Sequence, residues 1–150
     1  MIQQEIWMKF EFLKDVAIAD IAFRAEGKTT ERLFENCALA LTTSMADTAK
    51  MAEKARKKIA VEGKDVKELL YSFLEELVYI KDVEGLLFRK FSVKISREKA
   101  GLRLLADCAG DTLVNIGREN LRNDVKAITM HMFEVKQENG GWAATVVVDI

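Results

Sequence analysis

Apolar and polar residues alternate with a period of two near the start of the chain. Residues 5–13 place Ile6, Phe10 and other apolar side chains between polar neighbours such as Glu11, a pattern typical of a half-buried strand. A second run, residues 18–25, is similarly apolar. The chain is therefore predicted to begin with two strands.

Two later segments change to helical spacing. The turn Gly27-Lys28-Thr29-Thr30 offers an N-cap for the first segment, and Gly63 and Asp65 precede the second. After each cap, apolar residues recur every three or four positions, which predicts an amphipathic helix. The predicted buried stripes are Leu33, Phe34, Cys37, Ala38 and Leu41 in the first helix, and Val66, Leu69, Leu70, Phe73, Leu74, Leu77 and Val78 in the second.

The second half returns to strand patterns. Alternation in residues 87–95, 102–108 and 124–136 predicts three strands, and Asn139-Gly140 predicts a tight hairpin to a last strand. Ile59-Ala60-Val61 predicts a short additional strand. The charged stretch 46–58 is ambiguous and is interpreted as a frayed connector, and residues 110–123 as a loop.

Two helices and about seven strands predict an α+β fold. In the simplest arrangement, two layers form, with both main helices packed on one face of a mainly antiparallel or mixed sheet. A length of 150 residues fits a single domain covering residues 1–150.

Composition restricts the classes of function. The net charge of −1 gives no overall attraction to nucleic acid, and no apolar run approaches the ~20 residues that span a bilayer. Cys37 and Cys108 lie in apolar segments, as buried thiols do, so we expect no disulfide-linked partner. We expect a soluble, cytoplasmic protein without a membrane partner. The familiar enzyme signatures are absent, which disfavours an enzyme that acts alone.

Carboxylates occur at the ends of two apolar segments. The last strand finishes in Asp149 and Ile150, whose side-chain and terminal carboxylates adjoin, and Asp20 lies in the second strand. A sheet that paired these segments would gather three carboxylates around one cation. Alternation places Asp20 on the side of Ala22 and Arg24, so it is alternatively a solvated acid or a partner of Arg24.

Lys126 and His131 are further candidates on one predicted strand. Their separation of five residues places them on opposite faces, which excludes a simple base and nucleophile pair. His131, the only histidine, is more often a structural residue in such a position. Lys126 can anchor an anion or extend its ammonium group to solvent.

Basic residues form two clusters, Lys54-Arg56-Lys57-Lys58 and Arg118 with Arg122. Aromatic residues are not interleaved with them, as single-stranded RNA recognition prefers. A solvated surface is the simpler interpretation.

Taken together and in order, these segments resemble the archease family, the protein cofactors of the RtcB-type tRNA-splicing RNA ligase. Order and spacing, more than any single motif, carry the resemblance along nearly the whole chain. The matching segments are Ala19-Asp20-Ile21-Ala22-Phe23, Gly27-Lys28-Thr29, Leu33-Phe34-Glu35-Asn36, Leu69-Leu70, Leu74-Glu75-Glu76-Leu77, Glu84-Gly85-Leu86, Lys126-Ala127-Ile128-Thr129-Met130-His131, Gly141-Trp142 and Val148-Asp149-Ile150.

The resemblance implies a non-enzymatic activator. It would bind the RtcB-type ligase, with tRNA in the complex, and promote guanylylation and repeated turnover in tRNA exon joining. By resemblance, Asp20, Asp149 and the carboxylate of Ile150 bind a divalent cation, with Ca²⁺ as the expected occupant, and Lys126 lies beside that site. Many family members have His-Thr-Ala-Asp at residues 17–20 and an aromatic residue at Met130. The role of that histidine therefore does not carry over.

Two alternatives remain open at this point. One is a general RNA-binding or chaperone-like module that works through the basic clusters and an apolar surface. The other is a metal-dependent hydrolase, in which a cation with open coordination positions activates water.

Overall fold

Two long helices and seven strands make up the described part of the chain. The structure, a computed structural model, describes residues 10–14 and 19–150. The predicted strand 5–13 and residues 17 and 18 therefore lie partly or wholly outside the described residues. The elements are β1 Phe10–Leu13, β2 Asp20–Gly27, α1 Thr30–Met45, β3 Ala55–Gly63, α2 Val66–Glu84, β4 Leu86–Glu98, β5 Gly101–Thr112, α3 Leu113–Ile116, β6 Ala127–Glu138 and β7 Gly141–Asp149.

The seven strands divide into two sheets, and the predicted α+β class is confirmed. One sheet has the order β1-β2-β7-β6 and the other β3-β5-β4, with antiparallel pairing throughout the described strands. Helix α1 contacts β2 and β4, and α2 contacts β3 and β6. Each helix thus packs against both sheets, and their apolar stripes form one core with them.

Helix α1 begins where β2 ends. The Thr29 hydroxyl accepts a hydrogen bond from the backbone N–H of Arg32 at 3.1 Å, so Thr29 is the predicted N-cap. Gly27 closes β2 so near the helix that an added Cβ would lie 2.3 Å from the Leu33 nitrogen. The end of β2 and the first turn of α1 therefore form one tightly packed corner, for which only glycine is small enough.

Helix α2 confirms the second predicted stripe. The Asp65 carboxylate accepts a hydrogen bond from the Glu68 N–H at 2.9 Å, and the Glu68 carboxylate accepts one from the Lys64 N–H. The buried Phe73 ring stacks on Phe34 of α1 at 6.2 Å between centroids. The two helices are thus joined through their apolar faces.

The charged stretch 46–58 is more ordered than its sequence suggested. Asp47 caps a 3-10 turn at Thr48–Lys50, and β3 already begins at Ala55. Strand alternation continues through the basic residues. Lys57 fits this alternation as a partly buried residue, because its ammonium group forms a salt bridge with Glu84 at 2.9 Å. A long lysine stem can cover apolar surface in this way and keep its charge paired.

The prediction that residues 110–123 form a loop is wrong. Strand β5 continues to Thr112, whose side chain caps the short helix α3, and a 3-10 turn follows at Arg118–Asn120. Asp111 is buried and accepts hydrogen bonds from the Thr112 N–H and the Asn115 amide. Local side-chain caps replace the periodic pattern here, which is why no periodicity was visible.

The last hairpin is the one that Asn-Gly predicted. Asn139 and Gly140 have φ values of 52° and 75°, and Glu138 pairs with Gly141 across the turn. Two consecutive positive φ values are those of a type I′ turn, which suits the twist of a hairpin.

Both cysteines are free and buried, and burial raises the pKa of each thiol, that of Cys108 to about 12. None of the helices in the described part of the chain combines the length and hydrophobicity that crossing a membrane requires.

A buried lysine joins α2 to the segment that leads into β6. Lys81 is 6% exposed, and its ammonium group donates to the Val125 carbonyl at 2.7 Å and contacts Asp124 at 2.5 Å and Asp82 at 2.7 Å. Burial lowers the pKa of Lys81, but the hydrogen bonds and charges of Asp124 and Asp82 outweigh it, so the pKa is raised.

We predict that Lys81→Met lowers the free energy of unfolding by about 1–3 kcal/mol, because the buried Val125 carbonyl loses its donor. Chemical denaturation measures the change, and Lys67→Met on the exposed side of the same helix is the matched control. Because the pKa is raised in the folded state, the charge-dependent part of this stabilisation, from Asp124 and Asp82, is present below the ordinary pKa of 10.5 and is lost as the pH rises through the raised value. An unfolding midpoint equal to that of the wild type at pH 7 would contradict the assignment.

Candidate metal centre

Strands β2 and β7 bring Asp20 and Asp149 directly opposite each other. The Ile150 N–H donates to the Ala19 carbonyl at 2.9 Å, so residues 19 and 150 form a hydrogen-bonded pair. In an antiparallel ladder the next pair, Asp20 and Asp149, is then a non-hydrogen-bonded pair, whose Cα atoms lie about 4.5 Å apart with side chains on one face. The sheet therefore places two carboxylates within reach of one cation.

The same hydrogen bond positions the last residue. Because the Ile150 nitrogen is bound to Ala19, the α-carboxyl group of Ile150 lies at the end of the sheet where β2 begins. Asp20, Asp149 and Ile150 are each partly buried rather than fully solvated.

Lys126 joins this edge through its backbone. Its N–H donates to the Asp149 carbonyl at 2.8 Å, and the next residue, Ala127, pairs with Asp149 as the first residue of β6. Ala127 lies beside Asp149 on the neighbouring strand and has only a methyl group, so its side chain leaves space next to the Asp149 carboxylate. The Lys126 side chain is exposed.

Within the described residues, no salt bridge neutralises the two aspartates. Arg24, the alternative partner for Asp20, instead binds Glu26 at 2.5 Å and also Glu138. On the aspartates' own face the next row, Ala22 and Val147, is buried. Like charges directly opposite on neighbouring strands repel, and an apolar border raises the cost of leaving them without a counter-charge.

The donor set fits a hard divalent cation. Carboxylate oxygens are the ligands that Ca²⁺ and Mg²⁺ prefer, and the residues described at this edge offer no sulfur or imidazole. No group of three His, Cys, Asp or Glu side chains is arranged as a metal site in residues 10–14 and 19–150. The third predicted ligand, the α-carboxylate of Ile150, is a main-chain group and lies at the same end of the sheet.

A pocket of about 320 Å³ opens beside Asp20. Arg122 is fixed there by its N–H to the Met45 carbonyl at 2.7 Å and by its guanidinium to the Thr43 carbonyl at 2.9 Å. Asn123 donates to the Ser44 carbonyl through both its backbone and its amide. The lining residues are Phe12, Leu13, Asp20, Ile21, Thr43, Ser44, Arg122 and Asn123.

Two residues of this pocket, Arg122 and Asn123, are functional candidates that the sequence did not place near Asp20. Arg122 was visible only as part of a basic pair in a presumed loop, and Asn123 gave no signal. Their hydrogen bonds to the end of α1 are long-range contacts, which periodicity does not reveal.

His131 does not join the carboxylates. The pairing of β6 with β7 shifts between Thr129 and Glu134, because three extra residues on β6 form a bulge. Met132 in this bulge has a φ of 59°, which is unusual for a residue other than glycine. The alternation used to place Lys126 and His131 on opposite faces was therefore wrong: Lys126 precedes the strand, and His131 lies in the exposed bulge.

Comparison with known proteins identifies one family over most of the chain. Residues 10–150 match the Archease protein family (MTH1598/TM1083). The chain is 41% identical over 133 residues to the protein archease of Pyrococcus abyssi, covering 88% of this chain and 93% of that protein. It is 40% identical over 141 residues to the protein archease of Methanothermobacter thermautotrophicus, covering 94% and 98%.

Two solved structures have folds similar to that of this chain. The solution structure of Methanobacterium thermoautotrophicum protein 1598 superimposes with a TM-score of 0.82 at 38% identity, covering 95% of this chain and 99% of that one. A Thermotoga maritima archease, described as a possible chaperone, shares the fold with a TM-score of 0.59 at 17% identity, covering 93% and 98%. By the family match and these relatives, the chain belongs to the archease family.

Proposed function

We propose that Asp20, Asp149 and the α-carboxylate of Ile150 bind a divalent cation, with Ca²⁺ as the expected occupant. The observation that supports this most directly is the cross-strand pairing of two aspartates that have no salt bridge within the described residues. The bound cation would supply positive charge at this edge.

We further propose that the protein is a non-enzymatic activator of an RtcB-type tRNA-splicing ligase. Family membership supports this proposal, together with the resemblance of Lys126 and the terminal acids to the family's pattern. The three carboxylates hold the cation, and the exposed Lys126 contacts an anionic group of the partner. Arg122 and the pocket beside Asp20 leave room for a group from the ligase complex.

In this role the chain supplies binding and orientation, and the ligase carries out the chemistry. Guanylylation of the ligase and its repeated turnover in exon joining would be the steps that depend on the interaction. Calcium takes six to eight oxygen ligands, more than three carboxylates ordinarily provide, so positions remain for water or for the partner.

The first prediction concerns direct cation binding. Titration of the wild type with Ca²⁺, followed by amide NMR shifts, should move signals near residues 20 and 149. We expect Asp20→Asn to weaken binding at least tenfold, because the site loses one anionic ligand. Asp107→Asn, a strand aspartate of the other sheet, should leave it unchanged.

One residue added after Ile150 should also weaken the site, since it converts the α-carboxylate into an amide. An N-terminal tag of similar size is the control. Wild-type spectra that do not respond to Ca²⁺, or an Asp20→Asn titration that matches the wild type, would contradict the proposed ligands.

A second prediction uses the repulsion between the aspartates. Without divalent cations, Asp20→Asn should raise the free energy of unfolding by about 0.2–1 kcal/mol, because a like-charge pair is removed. At a Ca²⁺ concentration 100 times the wild-type Kd, binding stabilises the wild type by about 2.7 kcal/mol, so the order should reverse. Denaturation in EDTA and in Ca²⁺ measures both. An equal effect of the substitution in both buffers would argue against a shared cation.

A third prediction concerns the ligase. With sub-stoichiometric cognate ligase and excess RNA, added protein should increase both guanylylation and the number of turnovers. Asp20→Asn and Asp149→Asn should lose at least nine-tenths of this stimulation, whereas Glu75→Gln, at an exposed site on α2, should retain it. If wild-type protein leaves guanylylation and turnover unchanged, the activator function is rejected.

A further inference from the structure

One face of the second sheet is largely exposed, with Ala109 as the one buried residue among the twelve that form it. In the central register row of the sheet, Ile59, Ala106 and Val93 are buried against the core. Neighbouring residues on each strand point the opposite way, because side chains alternate. This outer face consists of Arg56, Lys58, Ala60 and Glu62 on β3, Arg103, Leu105, Asp107 and Ala109 on β5, and Lys90, Ser92, Lys94 and Ser96 on β4.

The outer face is cationic although the whole chain has a net charge of −1. The twelve residues include five basic side chains and two acidic ones, and the next outward row adds a third acid, the exposed Glu98 opposite Gly101. Glu62 pairs with Arg103 at 3.4 Å, and Asp107 lies 3.8 Å from Lys58. Of the remaining basic residues, Arg56, Lys90 and Lys94 are exposed and have no salt bridge among the described residues.

Strand geometry fixes the spacing of these three cations. Arg56 and Lys90 lie on either side of Ala109, two strand spacings or about 10 Å apart. Lys94 lies four residues beyond Lys90 on the same strand, about 13 Å away. A nucleic acid strand carries one phosphate per ~3.4 Å of helix axis, so this area faces several phosphates of one backbone.

We propose that the outer face binds the phosphate backbone of structured RNA. Leu105 is the one large apolar side chain on this face, and none of its twelve residues is aromatic. Stacking on unpaired bases needs aromatic rings, and membrane surfaces are usually bound by basic residues combined with several large apolar ones. Charge without either feature favours sequence-independent contacts to a backbone. The choice of RNA among polyanions rests on the proposed function.

The sheet register divides the basic cluster of residues 54–58 between the two faces of the sheet. Lys57 belongs to the inner face and is bound to Glu84, whereas its neighbours Arg56 and Lys58 point outward. The latter two are joined by Lys90, Lys94 and Arg103 from distant parts of the chain. Arg122 lies elsewhere, beside Asp20.

The test is RNA binding by the full chain without ligase. Fluorescence anisotropy with an in vitro transcribed tRNA, in EDTA and at several salt concentrations, gives the affinity and its salt slope. The variant Arg56→Gln/Lys90→Gln/Lys94→Gln removes three cations of the outer face. Lys28→Gln/Lys50→Gln/Lys67→Gln makes the same change in net charge at exposed sites outside the strands of this sheet.

We expect the outer-face variant to bind tRNA at least tenfold more weakly at 50 mM salt. The slope of the logarithm of its binding constant against the logarithm of salt concentration should be shallower by about 2–3. Each lost phosphate contact contributes about 0.7–0.9 to this slope. The control variant should change the affinity less than threefold. Circular dichroism of both variants should match that of the wild type.

Several results would overturn the proposal. They are no wild-type binding at 50 mM salt, an equal loss in the two variants, or an unchanged slope. Tighter binding to phosphatidylserine vesicles or polyglutamate than to tRNA would assign the face to another partner. Ligase guanylylation without RNA serves as a separate readout, because it should depend on Asp20 and not on the outer face. The two proposals can therefore fail independently.

Discussion

The register of β2 on β7 is the constraint on which the rest of the structure depends. It pairs Phe23 with Val146 and Ile21 with Val148, and Phe23, Val146 and Val148 are fully buried. A slip of one residue would turn these side chains to the opposite face of the sheet. Each buried side chain contributes about 1.5–3 kcal/mol, compared with about 0.2–1 kcal/mol for one repulsive cross-strand pair. The core therefore holds Asp20 against Asp149 with or without a cation, and the site is preorganised.

Local patterns were sufficient for the elements that local interactions determine. The N-cap in the turn 27–30, both helical stripes and the Asn139-Gly140 hairpin follow from residues within one or two turns of each other. The pairing of Asp20 with Asp149 joins nearly opposite ends of the chain. Alternation gives the face of each residue but not its partner strand, so the residues alone offered this pairing as one hypothesis, and the resemblance to a family favoured it.

The predictions that were wrong or missing concern features that hydrophobic periodicity does not describe. Strand alternation assumes an uninterrupted ladder, and the bulge before Glu134 breaks it, so the relation between Lys126 and His131 could not be derived by counting. Segments 46–58 and 110–123 are ordered by single capping side chains such as Asp47 and Thr112. The outer face needs the register of three strands, which places Arg56 near Lys90 although the sequence separates them.

The two proposed surfaces lie on different sheets and carry opposite charges. Without a cation, the edge at Asp20 and Asp149 repels phosphate, whereas the outer face attracts it at any calcium concentration. An open coordination position also links the cation to the partner: a ligand from the ligase complex would raise the affinity for the cation, and the cation would raise the affinity for the complex by the same factor. Weak calcium binding by the isolated protein is thus compatible with tight binding in the proposed complex, because the partner would supply the missing oxygen ligands.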